Sequence, residues 1–82
     1  MKEPDVRERL RELLVQVFHV SPQSVDDAAT LEELGLDSLT QVELFDRLRE
    51  DFAVDIPDDE TVAATTVGDV VALVTEKTAS MP

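Results

Sequence analysis

One serine lies where loop-forming residues give way to an amphipathic helical pattern. Residues 34–39 read Leu-Gly-Leu-Asp-Ser-Leu, so Ser38 follows Asp37 directly ahead of an apolar run with helical spacing. The first backbone N–H groups of a helix lack intrahelical partners and lie at the positive end of its dipole. An anionic group on the Ser38 hydroxyl, above all a phosphodiester, is favoured there. We therefore predict that Ser38 is exposed and functional.

The same residues also allow a purely structural interpretation. The spacing from Ser38 to Gln41 fits the S-x-x-Q capping box, in which the serine only satisfies the start of a helix. Such caps are common. This spacing alone therefore leaves both interpretations of Ser38 open, and the rest of the chain has to distinguish them.

Helical periodicity predicts the elements that position Ser38. A first helix begins near Pro4 and ends by residue 20, ahead of Ser21 and Pro22. A second helix follows Ser38. The apolar positions of the first are Val6, Leu10, Leu13, Leu14, Val17 and Phe18, and those of the second are Leu39, Val42, Phe45, Leu48 and Phe52, with Leu44 beside them.

Capping signals define the remaining elements. In the long loop of residues 19–37, Thr30 is expected to cap a short turn that Gly35 ends with a positive φ. Pro57 and the acidic residues 58–60 predict a short third helix. Thr66 and Asp69 form a capping box that predicts a final helix over residues 67–77.

These elements predict an all-α fold, a small antiparallel bundle of three longer helices and one short helix, with a long loop between helices 1 and 2. We expect a single domain over residues 1–82, with a core of about 5–77 and a frayed tail at 78–82.

The charge of the chain limits its partners. Seven Lys and Arg oppose 19 Asp and Glu, a formal net charge of −12. This charge disfavours nucleic acid and anionic membranes, favours basic protein surfaces, and by self-repulsion favours a monomer. There is no cysteine, signal segment or membrane-length apolar run, so we expect a cytoplasmic protein without thiol chemistry of its own.

Two other classes of site fit the residues poorly. A serine hydrolase would need the second glycine of a nucleophile elbow and a histidine base, but His19 is the only histidine and its place after the first helix favours a solvated or capping role. The acidic segment 55–60 lacks the alternation and central glycine of an EF-hand, so no metal site is predicted. An acidic adaptor module without a prosthetic group remains as an alternative of another class.

With these residues in place, the chain resembles the acyl carrier protein family, whose modified serine lies in a Gly-x-Asp-Ser-Leu motif. The motif is present here as Gly35, Asp37, Ser38 and Leu39. The resemblance continues through residues 31–34, 42–44, 56–58 and 66–69, and so covers nearly the whole chain.

The resemblance implies that coenzyme A donates 4′-phosphopantetheine to Ser38 through a magnesium-using phosphopantetheinyl transferase, with Asp37 as part of the site. The thiol of this cofactor would hold acyl groups as thioesters, and the protein would be a carrier and not an enzyme. Its other partners would be acyltransferases, ketosynthases and further acyl-processing enzymes with basic docking surfaces.

By the same resemblance, a partner-facing surface is expected on the second helix and around the third. For Leu39 and Val42, core packing is an equally weighted alternative, and Glu43 and Glu50 could be merely solvated. The expected surface comprises Leu39, Val42, Glu43, Asp46, Arg47, Glu50, Ile56 and Val62.

Departures from the family pattern bear on the pathway. Fatty-acid carriers typically have an apolar residue in place of Asp46 and often an acidic one in place of Arg49. The departures favour polyketide or other specialised metabolism, with fatty-acid synthesis as the alternative. Peptidyl or aminoacyl carriers rank lower, because they usually have Gly or His ahead of the serine, where this chain has Leu36 and Asp37.

Overall fold

The computed structural model describes residues 2–79, and these form four α-helices with no strand among them. A short 3-10 helix, Pro22–Ser24, interrupts the loop between the first two. The all-α architecture of three longer helices and one short helix is therefore confirmed. The helices are α1, Glu3–Gln16; α2, Ser38–Phe52; α3, Asp58–Ala63; and α4, Val67–Ala79.

The apolar faces predicted for α1 and α4 form the centre of the core. Leu10 and Leu14 of α1 and Val70 and Val74 of α4 are fully buried, and α4 packs against both α1 and α2. β-Branched valines have modest intrinsic helix propensity, so this packing stabilises α4. None of the helices in residues 2–79 is long and apolar enough to span a membrane.

Most predicted boundaries lie close to the observed ones. Pro4 occupies the first turn of α1, where its missing N–H costs no helical bond. After α1, His19 has a φ of 59°, and the N–H of Val20 donates to the carbonyl of Leu14 at 2.9 Å. His19 therefore has the predicted capping role at a left-handed position that ends the helix. Helix α4 extends two residues beyond the predicted end, and residues 80–82 of the predicted frayed tail lie outside the described residues.

The long loop is held on the bundle by hydrogen bonds. Thr30 Oγ1 accepts the N–H of Glu33 at 3.0 Å, and Gly35 has a φ of 87°, as predicted. The loop carbonyls of Asp27 and Ala29 accept the N–H groups of Gly68 and Val67, at 3.0 and 2.9 Å. The loop thus satisfies the first turn of α4, and an isolated bridge joins Thr30 to Thr66.

The fourth helix has the predicted capping box. The N–H of Asp69 donates to Thr66 Oγ1 at 3.0 Å, and Asp69 Oδ2 accepts the N–H of Thr66 at 3.2 Å. These hydrogen bonds to the carboxylate, together with those from Thr65, lower the pKa of Asp69. The anionic carboxylate also lies at the positive end of the α4 dipole, where it stabilises the helix.

Candidate functional site

Ser38 is exposed and is the first residue of α2, immediately after the N-cap Asp37. Asp37 Oδ1 accepts the N–H of Thr40 at 2.9 Å and its hydroxyl at 2.8 Å. The capping role considered for Ser38 is therefore wrong, because the carboxylate one residue earlier fills it. Gln41 does not close a capping box either, since its Nε2 donates to the carbonyl of Leu36 at 2.8 Å.

The Ser38 hydroxyl is chemically available. Within residues 2–79 no donor or acceptor forms a hydrogen bond with its Oγ. Asp37 is held in its anionic form, since the N–H and hydroxyl of Thr40, with the N–H of Leu39, lower its pKa. The two residues therefore have different roles. Asp37 stabilises the start of α2, and Ser38 presents to solvent a hydroxyl oxygen without a hydrogen-bond partner among the described residues.

A groove of about 310 Å³ begins at Ser38 and runs between α2 and α3. Its apolar lining is supplied by Val42, Phe45 and Val62. Its polar lining consists of Gln41, Arg49, Asp58 and Thr61. A group attached to Ser38 would therefore meet a surface that offers both apolar contacts and hydrogen-bonding groups.

Arg49 joins α2 to the segment that leads into α3. Its Nε and Nη2 donate to the carbonyl of Ile56 at 3.0 and 2.6 Å. Its Nη1 is 2.8 Å from Asp46 Oδ1, and its Nη2 is 3.1 Å from Asp58 Oδ1. Sequence reasoning noted Arg49 only as a departure from a family pattern. The acidic residues three before and nine after it were a signal of these ion pairs.

Most of the expected partner-facing residues lie on the surface. Leu39, Val42 and Val62 are large apolar side chains with exposed fractions of 70%, 56% and 79%. Core packing is therefore excluded for Leu39 and Val42, and the buried stripe of α2 consists of Leu44, Phe45, Leu48 and Phe52. The exposed charged members of the expected surface are Glu43, Asp46, Arg47 and Glu50.

Ile56 is the exception and requires a correction. Its side chain is only 1% exposed and belongs to the core, so it cannot contact a partner directly. The sequence places it beside Pro57 and an acidic run, a pattern typical of a surface. However, the segment between α2 and α3 needs an apolar anchor, and Ile56 fills that role with Val54.

Within residues 2–79, the other side chains that could do chemistry are not gathered into a second site. His19 is exposed at the end of α1 and lies outside the groove beside Ser38. Among the described residues, no group of three or more His, Cys, Asp or Glu side chains is arranged to hold a metal ion. The free hydroxyl of Ser38 and its groove are therefore the candidate functional site.

Comparison with known proteins agrees with this geometry. A family model described as "Phosphopantetheine attachment site" matches residues 8–74. Among curated proteins, an acyl carrier protein of Caulobacter vibrioides is 41% identical over 76 residues, 92% of this chain and 97% of its own length. The chain belongs to the acyl carrier protein family. Members of this family carry covalently attached 4′-phosphopantetheine, and the function that follows is that of an acyl carrier.

Other relatives extend the agreement. The acyl carrier protein of Phenylobacterium zucineum is 38% identical over 74 residues, which are 89% of this chain and 94% of that protein. The crystal structure of an acyl carrier protein from Thermotoga maritima superposes with a TM-score of 0.82 at 26% identity, covering 94% of this chain and 91% of that one. An Enterococcus faecalis acyl carrier protein, at 22% identity and a TM-score of 0.79, supports the fold.

Proposed function

We propose that Ser38 Oγ is the attachment atom for 4′-phosphopantetheine and that this chain carries acyl thioesters between enzymes. The observation that supports this assignment is an exposed serine hydroxyl without a hydrogen-bond partner among residues 2–79, at the first position of α2 and at the mouth of a groove. The cofactor supplies the thiol that the chain lacks.

The surroundings of Ser38 suit a substrate of modification better than a catalyst. A serine nucleophile must lose its proton to a base within hydrogen-bonding distance. Asp37, the nearest acidic residue in sequence, has its Oδ1 engaged by Thr40, and no described side chain accepts a hydrogen bond from Ser38. The base for the modification would then come from the transferase, which is consistent with a carrier that performs no catalysis.

Asp37 also influences where a phosphodiester on Ser38 would lie. Its anionic carboxylate already accepts the N–H of Thr40, one of the first-turn donors of α2. A second anion one residue away is repelled by this carboxylate. The cofactor is therefore directed away from the helix start, toward solvent or along the groove. This modifies the expectation that the helix N-terminus simply binds the phosphodiester.

For the pathway, we propose polyketide or other specialised metabolism, with fatty-acid synthesis as the alternative. The supporting feature is the guanidinium of Arg49 in the wall of the groove, which keeps one Nη1 N–H beyond its contacts with Ile56, Asp46 and Asp58. Packing a saturated acyl chain against a guanidinium costs desolvation free energy. Keto or hydroxyl oxygens on the chain can instead accept a hydrogen bond from it. The relatives' common name, acyl carrier protein, fits both pathways equally well.

The pathway proposal has a direct test. The protein would be loaded with two acyl groups of equal length, one saturated and one with a 3-keto group, and the NMR signal of Arg49 Nη1 followed. We expect the keto chain to shift this signal and the saturated chain to leave it close to its position in the unacylated protein. Equal shifts for both chains would favour the fatty-acid alternative.

Partner enzymes are proposed to bind the exposed residues around Ser38. Leu39, Val42 and Val62 offer apolar contact, and Glu43 and Glu50 offer charge to basic docking surfaces. We propose phosphopantetheinyl transferase, acyltransferases, ketosynthases and other acyl-processing enzymes as partners of a cytoplasmic monomer. Contacts dominated by exposed charge support fast association and fast release, which a carrier requires.

The deciding experiment is intact mass spectrometry after incubation with coenzyme A, magnesium and a broad-specificity phosphopantetheinyl transferase. Peptide mapping would follow, because Ser21, Ser24 and Ser80 are alternative acceptors. We expect one phosphopantetheine group, located on Ser38. Attachment to another serine would contradict the assignment of Ser38. Folded protein that gained no such group would contradict the carrier function itself, and an acidic adaptor module would then be the better proposal.

A further inference from the structure

Helix α3 has six residues, and none of them is buried. Buried residues lie only at its flanks, with Ile56 at 1% and Ala64 at 6% exposure. A helix of this length is not stable in isolation, because the cost of nucleation is not recovered over so few residues. Something other than apolar burial of its own side chains must therefore hold α3 against the bundle.

Two ion pairs connect α3 to the neighbouring helices. Toward α2, Arg49 Nη2 lies 3.1 Å from Asp58 Oδ1. Toward α4, Lys77 Nζ lies 2.7 Å from Glu60 Oε2. We refer to these contacts as the two α3 ion pairs. They hold the helix from opposite sides, one at its first residue and one at its third.

The two α3 ion pairs differ in how far water reaches them. The Asp58 side chain is 98% exposed, so its pair with Arg49 is open to salt and to external cations. Glu60 Oε2 is buried, and Lys77 is 23% exposed on its side chain. The Glu60 carboxylate raises the pKa of Lys77, with smaller contributions from Glu76 and Asp55. Removing Lys77 would leave a buried carboxylate oxygen without its cation.

Grooves lie on both sides of α3. Asp58, Thr61 and Val62 line the groove that begins at Ser38. On the other side, Glu60 and Ala63 line a second groove of about 310 Å³ against α4. Helix α3 therefore separates the two grooves. A small displacement of α3 changes the width of the groove beside Ser38.

We propose that the two α3 ion pairs, in place of apolar packing by the helix's own side chains, keep α3 closed over the groove beside Ser38. Their loss releases α3 while α1, α2 and α4 stay folded, since the fully buried side chains belong to those helices and the connecting segments. This conformational device goes beyond the proposed carrier function and does not depend on what Ser38 carries. It can therefore be tested on the unmodified protein.

The test is residue-resolved amide hydrogen exchange by NMR at fixed pH. The reporters are the amides that close the α3 hydrogen bonds, such as Thr61 to the carbonyl of Pro57 at 3.2 Å and Ala64 to that of Thr61 at 3.2 Å. For Lys77→Gln we expect these amides to exchange roughly 3- to 10-fold faster, as loss of one partly buried ion pair predicts, with less than about a 2-fold change in α1. Asp58→Asn should have a smaller effect in the same direction.

Asp59→Asn is the matched control, because it removes a negative charge from the same turn without breaking either α3 ion pair. Because a first-turn negative charge favours the helix start, its loss should accelerate α3 exchange by less than about 2-fold. Equal acceleration in this control would overturn the proposal. So would unchanged α3 exchange in Lys77→Gln, or an equal acceleration in all four helices, which would show that the pairs stabilise the whole fold.

Salt provides a second measurement without substitution. Raising NaCl from about 0.1 M to about 1 M shortens the Debye length from about 10 to about 3 Å, which weakens the exposed pair of Arg49 and Asp58 most. In the unaltered protein, exchange of α3 amides relative to those of α1 should increase about 2-fold or more. A ratio that stays constant over this range would contradict the proposal.

Discussion

The start of α2 shows how adjacent residues acquire different functions. Both Asp37 and Ser38 are residue types that favour the N-cap, and the sequence spacing to Gln41 suggested Ser38 as the cap. In the structure, Asp37 accepts two hydrogen bonds from Thr40, and Ser38 accepts none from the described residues. The exposed position of Ser38 was predictable, but the choice of cap was not, because it depends on a one-residue difference in where the helix begins.

The first prediction concerns Ser38→Ala. This change should abolish phosphopantetheine loading and alter the free energy of unfolding by less than about 0.5 kcal/mol, because an exposed side chain without contacts is lost. Thermal melts and intact mass after transferase treatment measure the two effects. A destabilisation above about 1 kcal/mol would mean that Ser38 contributes to the fold after all.

The second prediction concerns the carboxylate of Asp37. Hydrogen bonds from Thr40 lower the pKa of this carboxylate in the folded protein. The carboxylate therefore stabilises the fold at pH values above its ordinary pKa, near 4, and this stabilisation is lost as the pH falls through the lowered pKa. Asp37→Asn keeps an acceptor at the N-cap but removes the charge. The melting temperature of this variant should fall below that of the wild type at pH 7 and approach it near pH 2. A difference that persists unchanged at pH 2 would contradict this explanation.

At the scale of elements, periodicity and capping residues predicted all four helices, because burial of one face and the ends of helices are local signals. The same reasoning placed Leu39 and Val42 on the apolar stripe of α2, although both are exposed. A stripe at helical spacing does not show where the core ends. The first two turns of α2 leave Leu39 and Val42 at 70% and 56% exposure, and only the packed structure shows this.

The third prediction concerns the end of α2. Ala53 has a φ of 52°, and its N–H donates to the carbonyls of Arg49 and Glu50. A left-handed conformation strains any residue with a Cβ, so Ala53→Gly should increase the free energy of unfolding by roughly 0.5–1 kcal/mol. Chemical denaturation measures this change.

Gly35 provides the reciprocal control for Ala53. Its φ of 87° is also left-handed, and a Cβ there would meet no atom within 4 Å. Gly35→Ala should therefore destabilise by about 1 kcal/mol through backbone strain alone. If the two variants changed stability in the same direction, backbone conformation would not be the cause.

At the scale of the whole molecule, the charge of −12 is distributed unequally. Several cations are already engaged within the fold, as Arg7 is with Glu3 and Asp27 and Arg9 is with Glu12 and Asp51. On α2, Arg49 pairs with Asp46 and Arg9 pairs with Asp51, whereas Glu43 and Glu50 of the proposed docking surface have no ion pair among residues 2–79. Composition predicted the sign of the partner surface, but the distribution of charge required the fold.

The fourth prediction tests this distribution. Glu43→Lys should slow reactions with partner enzymes several-fold at low salt, because it reverses charge on the proposed docking surface, and the difference should shrink at high salt. Steady-state rates against ionic strength measure it. Glu8→Lys on α1 makes the same change in net charge at an exposed residue outside the proposed docking surface and should have little effect. Equal slowing by both variants would attribute the effect to net charge alone.

The hydrogen bonds between the long loop and α4 could not be predicted from the sequence, because they join residues 38 and 41 positions apart. They also have a consequence for the nascent chain. The carbonyls of Asp27 and Ala29 and the bridge at Thr30 find their partners only when residues 66–68 have been synthesised. The loop that leads into Ser38 therefore lacks its partners until the last helix begins to emerge from the ribosome. A chain truncated after Thr65 should consequently be a poor transferase substrate although it contains Ser38, and equal loading of the two lengths would show that the loop is ordered without α4.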